Sequence, residues 1–144
     1  MKKFIYISFL FWPLVLSAIE KTKEEKVAKY IIENIQKDYV TCYCFYKVSA
    51  ETFKKAGKKK YIIDGLEKSA DITLKFNYDL GEVLGLPAKK MAQTNKKGVE
   101  KFTKIAKNDF SSLTKNYGLM CKKLVENQKR RINYWEDKGN KKIK

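Results

Sequence analysis

Apolar residues recur every three or four positions along most of this chain, and that spacing constrains its fold more than any other feature. The segment 20–56 shows it first: charged residues lie opposite one apolar face. That face consists of Val27, Ile31, Ile35, Tyr39, Cys42, Phe45, Tyr46 and Phe53. Thr22 and Glu25 have the spacing of a capping box, and Gly57 is placed to end the segment. The pattern predicts a long amphipathic helix that packs on one side.

The segment 61–84 contains two competing patterns. Its central run ITLKFNYDL alternates apolar and polar residues, which is typical of a strand. Over a wider window the helical spacing is unbroken, and no other run offers a strand partner. The helical stripe consists of Ile62, Leu66, Ser69, Thr73, Phe76, Leu80 and Val83. We therefore predict a second helix.

A third helical region follows Gly85 and Pro87, since proline is well tolerated at the start of a helix. Its stripe consists of Val99, Phe102, Ala106, Phe110, Leu113, Tyr117, Met120 and Leu124. A bend is expected near Gly98 or within 108–112, and the sequence does not choose between them. The predicted fold is all-α, an antiparallel bundle of three or four helices over residues 19–135. A polar tail, 136–144, is expected to fray.

The first eighteen residues have the composition of a secretory signal peptide. Lys2 and Lys3 precede an apolar run over 4–16, and Ser17 and Ala18 offer a cleavage site. An uncleaved membrane anchor is the alternative, but the run is shorter than the roughly 20 residues that span a bilayer. The sequence thus predicts cleavage after Ala18 and a periplasmic or secreted protein of a bacterium.

Three cysteines remain in the predicted mature chain, and two of them lie one residue apart. Cys42 falls on the apolar face of the first helix, and Cys121 falls on the core face of the last. A disulfide between them is expected in an oxidising compartment and would stabilise the fold by roughly 4 kcal/mol. Cys44 lies about 200° round the helix from Cys42, so these two cannot bridge each other. Cys44 is then a free thiol, an intermolecular bridge, or the true partner of Cys121.

The charge is strongly basic, with 32 lysines and arginines against 16 acids and a formal net charge of +16. This balance favours anionic partners. Arg130 and Arg131 are the only arginines, and a lysine surface is poorly suited to reading base edges, so sequence-specific nucleic-acid binding is not expected. Together with Tyr134 and Trp135 they form a candidate contact for an anionic partner. Alternatively, this segment ends a helix whose cations complement its dipole.

The chain has no histidine. Serine–histidine and cysteine–histidine nucleophiles are therefore excluded, as are histidine metal ligands. C-x-C on a straight helix cannot direct both sulfurs at one ion, and no metal or cofactor site is predicted. The one carboxylate cluster is an acidic face on the second helix, formed by Asp64, Glu67, Asp71, Asp79 and Glu82. A hydrolase pair of Glu67 and Asp71 is conceivable, but a solvated acidic face is the simpler interpretation.

Three functional hypotheses follow. The first is a non-enzymatic exported bundle that binds another protein or component of the bacterial envelope. The second is a protein that binds a polyanion or a membrane surface, such as lipopolysaccharide, anionic lipid or nucleic acid. The third is a carboxylate-based hydrolase. The oligomeric state is left open.

Overall fold

The computed structural model describes residues 22–144, all of whose regular structure is helical; the predicted signal peptide, 1–18, lies outside them. The α-helices are α1 (Lys23–Lys55), α2 (Lys60–Val83), α3 (Ala88–Leu113), α4 (Leu119–Glu126) and α5 (Gln128–Lys142), with a π-helical turn at Thr114–Gly118. The predicted all-α bundle is confirmed. No helix in this part of the chain is long and apolar enough to cross a membrane.

The ends of α1 follow from local sequence. The Thr22 hydroxyl accepts a hydrogen bond from the Glu25 amide at 3.3 Å, and the Glu25 carboxylate accepts one from the Thr22 amide at 3.1 Å. This is the predicted capping box. Gly57 adopts a positive φ of 63° and donates its amide to the Lys54 carbonyl, and Gly85, with φ 68°, follows α2 in the same way. Glycine takes this left-handed conformation without strain, so both helices end as predicted.

Helix α1 lies at the centre of the bundle, so the prediction that it packs on one side only is wrong. Helices α2, α3 and α5 all pack against it. Its middle section is buried on nearly every face, through Ile35, Tyr39, Cys42, Cys44, Phe45, Val48, Ser49 and Ala50. The charged residues near the two ends of α1 produce the amphipathic pattern. Between Tyr39 and Tyr46 it carries no charged residue, which suits a central helix.

The core face of α2 is rotated from the predicted stripe. Its buried residues are Ala70, Thr73, Asn77 and Gly81. Val83 is instead 69% exposed, and Phe76 is 37% exposed although its ring stacks on that of Tyr39 at 5.1 Å. Small residues suit this face because neighbouring side chains come close: a Cβ at Gly81 would collide with the Met91 side chain of α3. Steric fit at this contact outweighs the apolar count of the stripe.

Two short breaks shape the second half of the bundle. Asp109 leaves helical geometry (φ −156°, ψ 91°), and its carboxylate accepts the Ser112 amide at 3.0 Å, so the bend lies within 108–112. Asn127 also leaves helical geometry (φ −151°, ψ 80°), and its side-chain oxygen accepts a hydrogen bond from the Arg130 amide at 3.4 Å. Asp and Asn favour such caps because their side chains replace a lost backbone hydrogen bond.

Helix α5 corrects the prediction of a frayed tail at 136–144, because it continues to Lys142. Gly139 is buried, and a Cβ there would lie 3.2 Å from both Tyr30 and Val27 of α1. A glycine within a polar segment gives no apolar signal, yet it allows the two helices to touch. The tail is therefore anchored by backbone proximity.

Candidate functional site

A groove lies between α4 and α5, with a volume of about 440 Å³. The break at Asn127 turns α5 away from α4 and so creates it. Its polar and apolar linings are distinct. The polar lining includes Lys115, Asn116, Lys123, Asn127, Arg130 and Arg131, and the apolar lining consists of Leu119, Met120, Leu124 and Tyr134. We call it the α4–α5 groove.

One wall of the groove is fixed by Asp38, a carboxylate of α1 that is only 8% exposed. Arg131 donates to it twice, from Nε at 2.6 Å and from Nη2 at 3.1 Å. Trp135 adds a third bond from its indole nitrogen at 2.6 Å. The Arg131 guanidinium also lies over the ring of Tyr134, 4.4 Å from its centroid. Charge-assisted bidentate pairs of this kind are strong and directional, so Asp38 holds α5 against α1.

The predicted contact for an anionic partner therefore divides into two pairs. Arg131 and Trp135 both donate hydrogen bonds to Asp38. The Asp38 carboxylate therefore largely cancels the charge that Arg131 would offer to a ligand. Arg130 and Tyr134 are exposed and line the groove. Sequence reasoning found the segment but could not divide it, because the deciding residue is 93 positions from Arg131.

The remaining cations of the groove have no acidic counterpart. Lys115, Lys123 and Arg130 all line it, and within residues 22–144 none of them forms an ion pair. No carboxylate of the described part of the chain is among the lining residues. Three cations lie beside an apolar strip formed by Leu119, which is 63% exposed, and Met120, which is partly exposed, so the groove is amphipathic and positive.

The disulfide joins α1 to α4 directly behind the groove. Cys42 and Cys121 are bonded, with their Cα atoms 5.2 Å apart, as predicted. Met120, which lines the groove, brings its sulfur to 3.7 Å from the sulfur of Cys42. The staple therefore fixes α4 on the opposite side of the groove from the Asp38 clamp.

Cys44 is a free thiol and is fully buried. Its sulfur contacts the Asn95 carbonyl at 3.8 Å and packs against Gly98 of α3. Burial raises the pKa of this thiol to about 11, so it stays protonated at neutral pH. A buried, protonated thiol is a poor nucleophile, and its position leaves an intermolecular bridge no access.

The acidic face of α2 is largely solvated. Asp64 pairs with Lys60 at 2.8 Å and Asp79 pairs with Lys75 at 2.6 Å, both one helical turn apart. Asp71 and Glu82 are exposed, while Glu67 is half-buried. Within residues 22–144, no three acids or cysteines are grouped so that they could hold a metal ion. The hydrolase hypothesis stays a prediction that no geometry of this face favours.

A second cavity was missed by the sequence analysis. It lies between α1, α2 and α3, has a volume of about 370 Å³, and is lined in part by Tyr43, Tyr78 and Asn95. We call it the three-helix cleft. In the sequence, Asn95 is the residue that could have indicated this cleft, because it lies on the same inner face of α3 as the buried residues Met91 and Phe102. A polar residue within an apolar stripe marks a position worth examining.

Comparisons of the chain with protein-family models, with curated proteins and with solved structures found no match.

Proposed function

We propose that this chain is an exported, non-enzymatic binding protein that holds an anionic lipid of the bacterial envelope in the α4–α5 groove. The observation that carries the proposal is the groove itself: Lys115, Lys123 and Arg130 lie beside an apolar strip, and among residues 22–144 no acid pairs with them or lines the groove. An anionic headgroup matches the cations, and the adjoining acyl chain matches Leu119 and Met120.

Export is supported by the signal-like residues 1–18 and by the disulfide, which is a bond typical of oxidising compartments. A lipid ligand is favoured over nucleic acid because Leu119 and Met120 lie beside the cations, while the Tyr134 ring is already packed against the Arg131 guanidinium. Nucleic-acid sites instead combine cations with aromatic stacking platforms or arginine forks. An envelope protein as partner remains the sequence-based prediction, without a surface that singles it out.

The test is co-sedimentation with vesicles of phosphatidylcholine, with and without phosphatidylglycerol. Binding is expected only to the anionic vesicles and should weaken with added salt. Each basic residue near such a surface contributes about 1 kcal/mol, so the double variant Lys123→Glu with Arg130→Glu should weaken binding at least about thirtyfold.

The matched control is Lys89→Glu with Lys107→Glu, which makes the same change in net charge at two exposed positions of α3. This control should retain most of the affinity. Equal losses in the two double variants would mean that net charge, and not the groove, attracts the vesicles. Equal binding to neutral and anionic vesicles would end the lipid proposal.

A further inference from the structure

The three-helix cleft shares no lining residue with the α4–α5 groove. Each of three helices contributes to it: Tyr43 from α1, Tyr78 from α2, and Asn95 and Val99 from α3. Its volume of about 370 Å³ is in the range of small-molecule sites, and its lining is mostly apolar and aromatic with a few polar groups. It can therefore be considered as a separate site.

A chain of buried side-chain amides ends at this cleft. Gln36 donates from Nε2 to Asn77 Oδ1 at 2.7 Å, and Asn77 donates from Nδ2 to Asn95 Oδ1 at 2.8 Å. All three residues are buried. Because each amide donates to the next, the oxygen of Asn95 is occupied and its orientation is set. The free end of the chain is the Asn95 amide nitrogen.

That nitrogen has no partner. Among the described side chains, the buried polar atoms without a hydrogen bond are Ser49 Oγ and Asn95 Nδ2, and Asn95 is only 5% exposed. A buried donor without an acceptor is unfavourable, and native proteins contain few of them. A ligand acceptor at this point would remove the penalty, which is a physical reason for binding.

We propose that the three-helix cleft binds a sugar that carries an N-acetyl group, with the acetamido oxygen accepting from Asn95 Nδ2. The donor is a neutral amide, which suits a neutral carbonyl. Tyr43 and Tyr78 supply aromatic rings for a sugar face, and Leu74 and Val99 supply apolar surface for the acetyl methyl. The charged residues of the lining are Lys47, Lys96 and Glu100, all at least partly exposed, whereas the buried donor that lacks a partner is the neutral Asn95 amide, so the proposed ligand group is neutral.

Asn95 Nδ2 is buried in the free protein, so side chains that line the cleft must move before the sugar can reach it. Tyr43 packs against the core, but Tyr78 and Lys47 are partly exposed and lie outside the core cluster, so these two side chains can rotate without opening the core. Burial raises the pKa of the Tyr43 hydroxyl, which stays protonated and able to donate to the sugar. The expected binding is accordingly accompanied by local rearrangement at the cleft and none at the disulfide.

The experiment is a two-dimensional amide NMR titration of the oxidised mature protein with N,N′-diacetylchitobiose. Cellobiose is the matched probe, since it has hydroxyls where the first sugar has acetamido groups. Diacetylchitobiose is expected to shift the amide signals of Tyr43, Tyr78 and Val99 and to bind at least about tenfold more tightly than cellobiose. Equal binding of the two sugars, or shifts confined to other residues, would overturn the proposal.

Asn95→Asp removes the free N–H and keeps an oxygen for Asn77, and the carboxylate that it introduces also repels an acetamido oxygen. We expect about tenfold weaker diacetylchitobiose binding. Asn116→Asp makes the same change in the α4–α5 groove and should leave this binding unaltered. If Asn95→Asp unfolds the protein, Tyr78→Leu serves instead, with a loss of similar size. Undiminished binding in the folded variant would reject the site, whatever the lipid measurements show.

Discussion

A substitution at Gly98 tests the tight contact between α1 and α3. The substitution Gly98→Ala places a Cβ 2.5 Å from the sulfur of Cys44, well inside van der Waals contact. Cys44 is 1% exposed, so its sulfur cannot move out into solvent to relieve the contact. Overpacking of this kind costs about 1–3 kcal/mol, while replacing a helical glycine by alanine gains about 1 kcal/mol. The net expectation is destabilisation of up to about 2 kcal/mol.

Gly65→Ala is the matched control. Gly65 lies within α2, and a Cβ there meets nothing within 4 Å, so only the helix-propensity gain of about 1 kcal/mol remains. Urea unfolding of the oxidised protein, followed by far-ultraviolet circular dichroism, gives the free energy of unfolding for each variant. Combining Gly98→Ala with Cys44→Ala should recover about 1–3 kcal/mol relative to the sum of the single effects. If Gly98→Ala stabilises the protein as much as Gly65→Ala does, or if the two changes simply add, the close α1–α3 contact is wrong.

Three further results are expected. Replacing Cys42 and Cys121 by alanine should lower the free energy of unfolding by about 4 kcal/mol, since the disulfide closes a span of 79 residues; a loss below about 1 kcal/mol in urea titrations would contradict this. Asp38→Asn should cost about 3 kcal/mol and release α5, seen as increased quenching of Trp135 fluorescence by iodide; unchanged quenching would show that the clamp does not hold the helix. Stability should fall in alkali, because burial raises the pKa of the Cys44 thiol in the folded protein from 9.0 to about 11 and so favours its neutral form. The contribution of this thiol to the free energy of unfolding is complete below pH 9 and is lost as the pH rises to 11. In Cys44→Ala, the decline in unfolding free energy between these pH values should be smaller than in the parent protein.

The parts of the fold that sequence predicted are those encoded locally. The capping box at Thr22 and the terminating glycines Gly57 and Gly85 each act within one helical turn, so their residues suffice to place the helix ends. The disulfide was predictable for a related reason. Cys42 lies on the core side of α1, and Cys121 was the one cysteine on another helix whose stripe required the same core.

The predictions that failed, or that remained open, depended on which helices meet. The face of Cys44 looked solvent-exposed on α1 alone, yet α3 covers it because Gly98 leaves space for the sulfur. The stripe on α2 was only partly right for the same reason: Thr73 is buried and Leu66 and Leu80 pack against the core, but Ala70 and Gly81 are buried while Val83 is exposed. Small residues contribute little to a hydrophobic pattern in the sequence. Their role, which is to allow close packing, is visible only when the neighbouring helix is in place.

The candidate sites divide along the same line. The sequence by itself determined the all-helical class, the start of α1, the glycine ends of α1 and α2, and the segment that carries Arg130 and Tyr134, and it favoured the Cys42–Cys121 staple, because periodicity and capping are properties of neighbouring residues. Only the tertiary structure decided that Arg131 pairs with Asp38 and that three cations lie beside an apolar strip with no acid among the described lining residues. It also decided that the chain of amides ends at an Asn95 nitrogen without a described partner. Those facts depend on the distances between residues far apart in the chain, which are set only when the helices pack together.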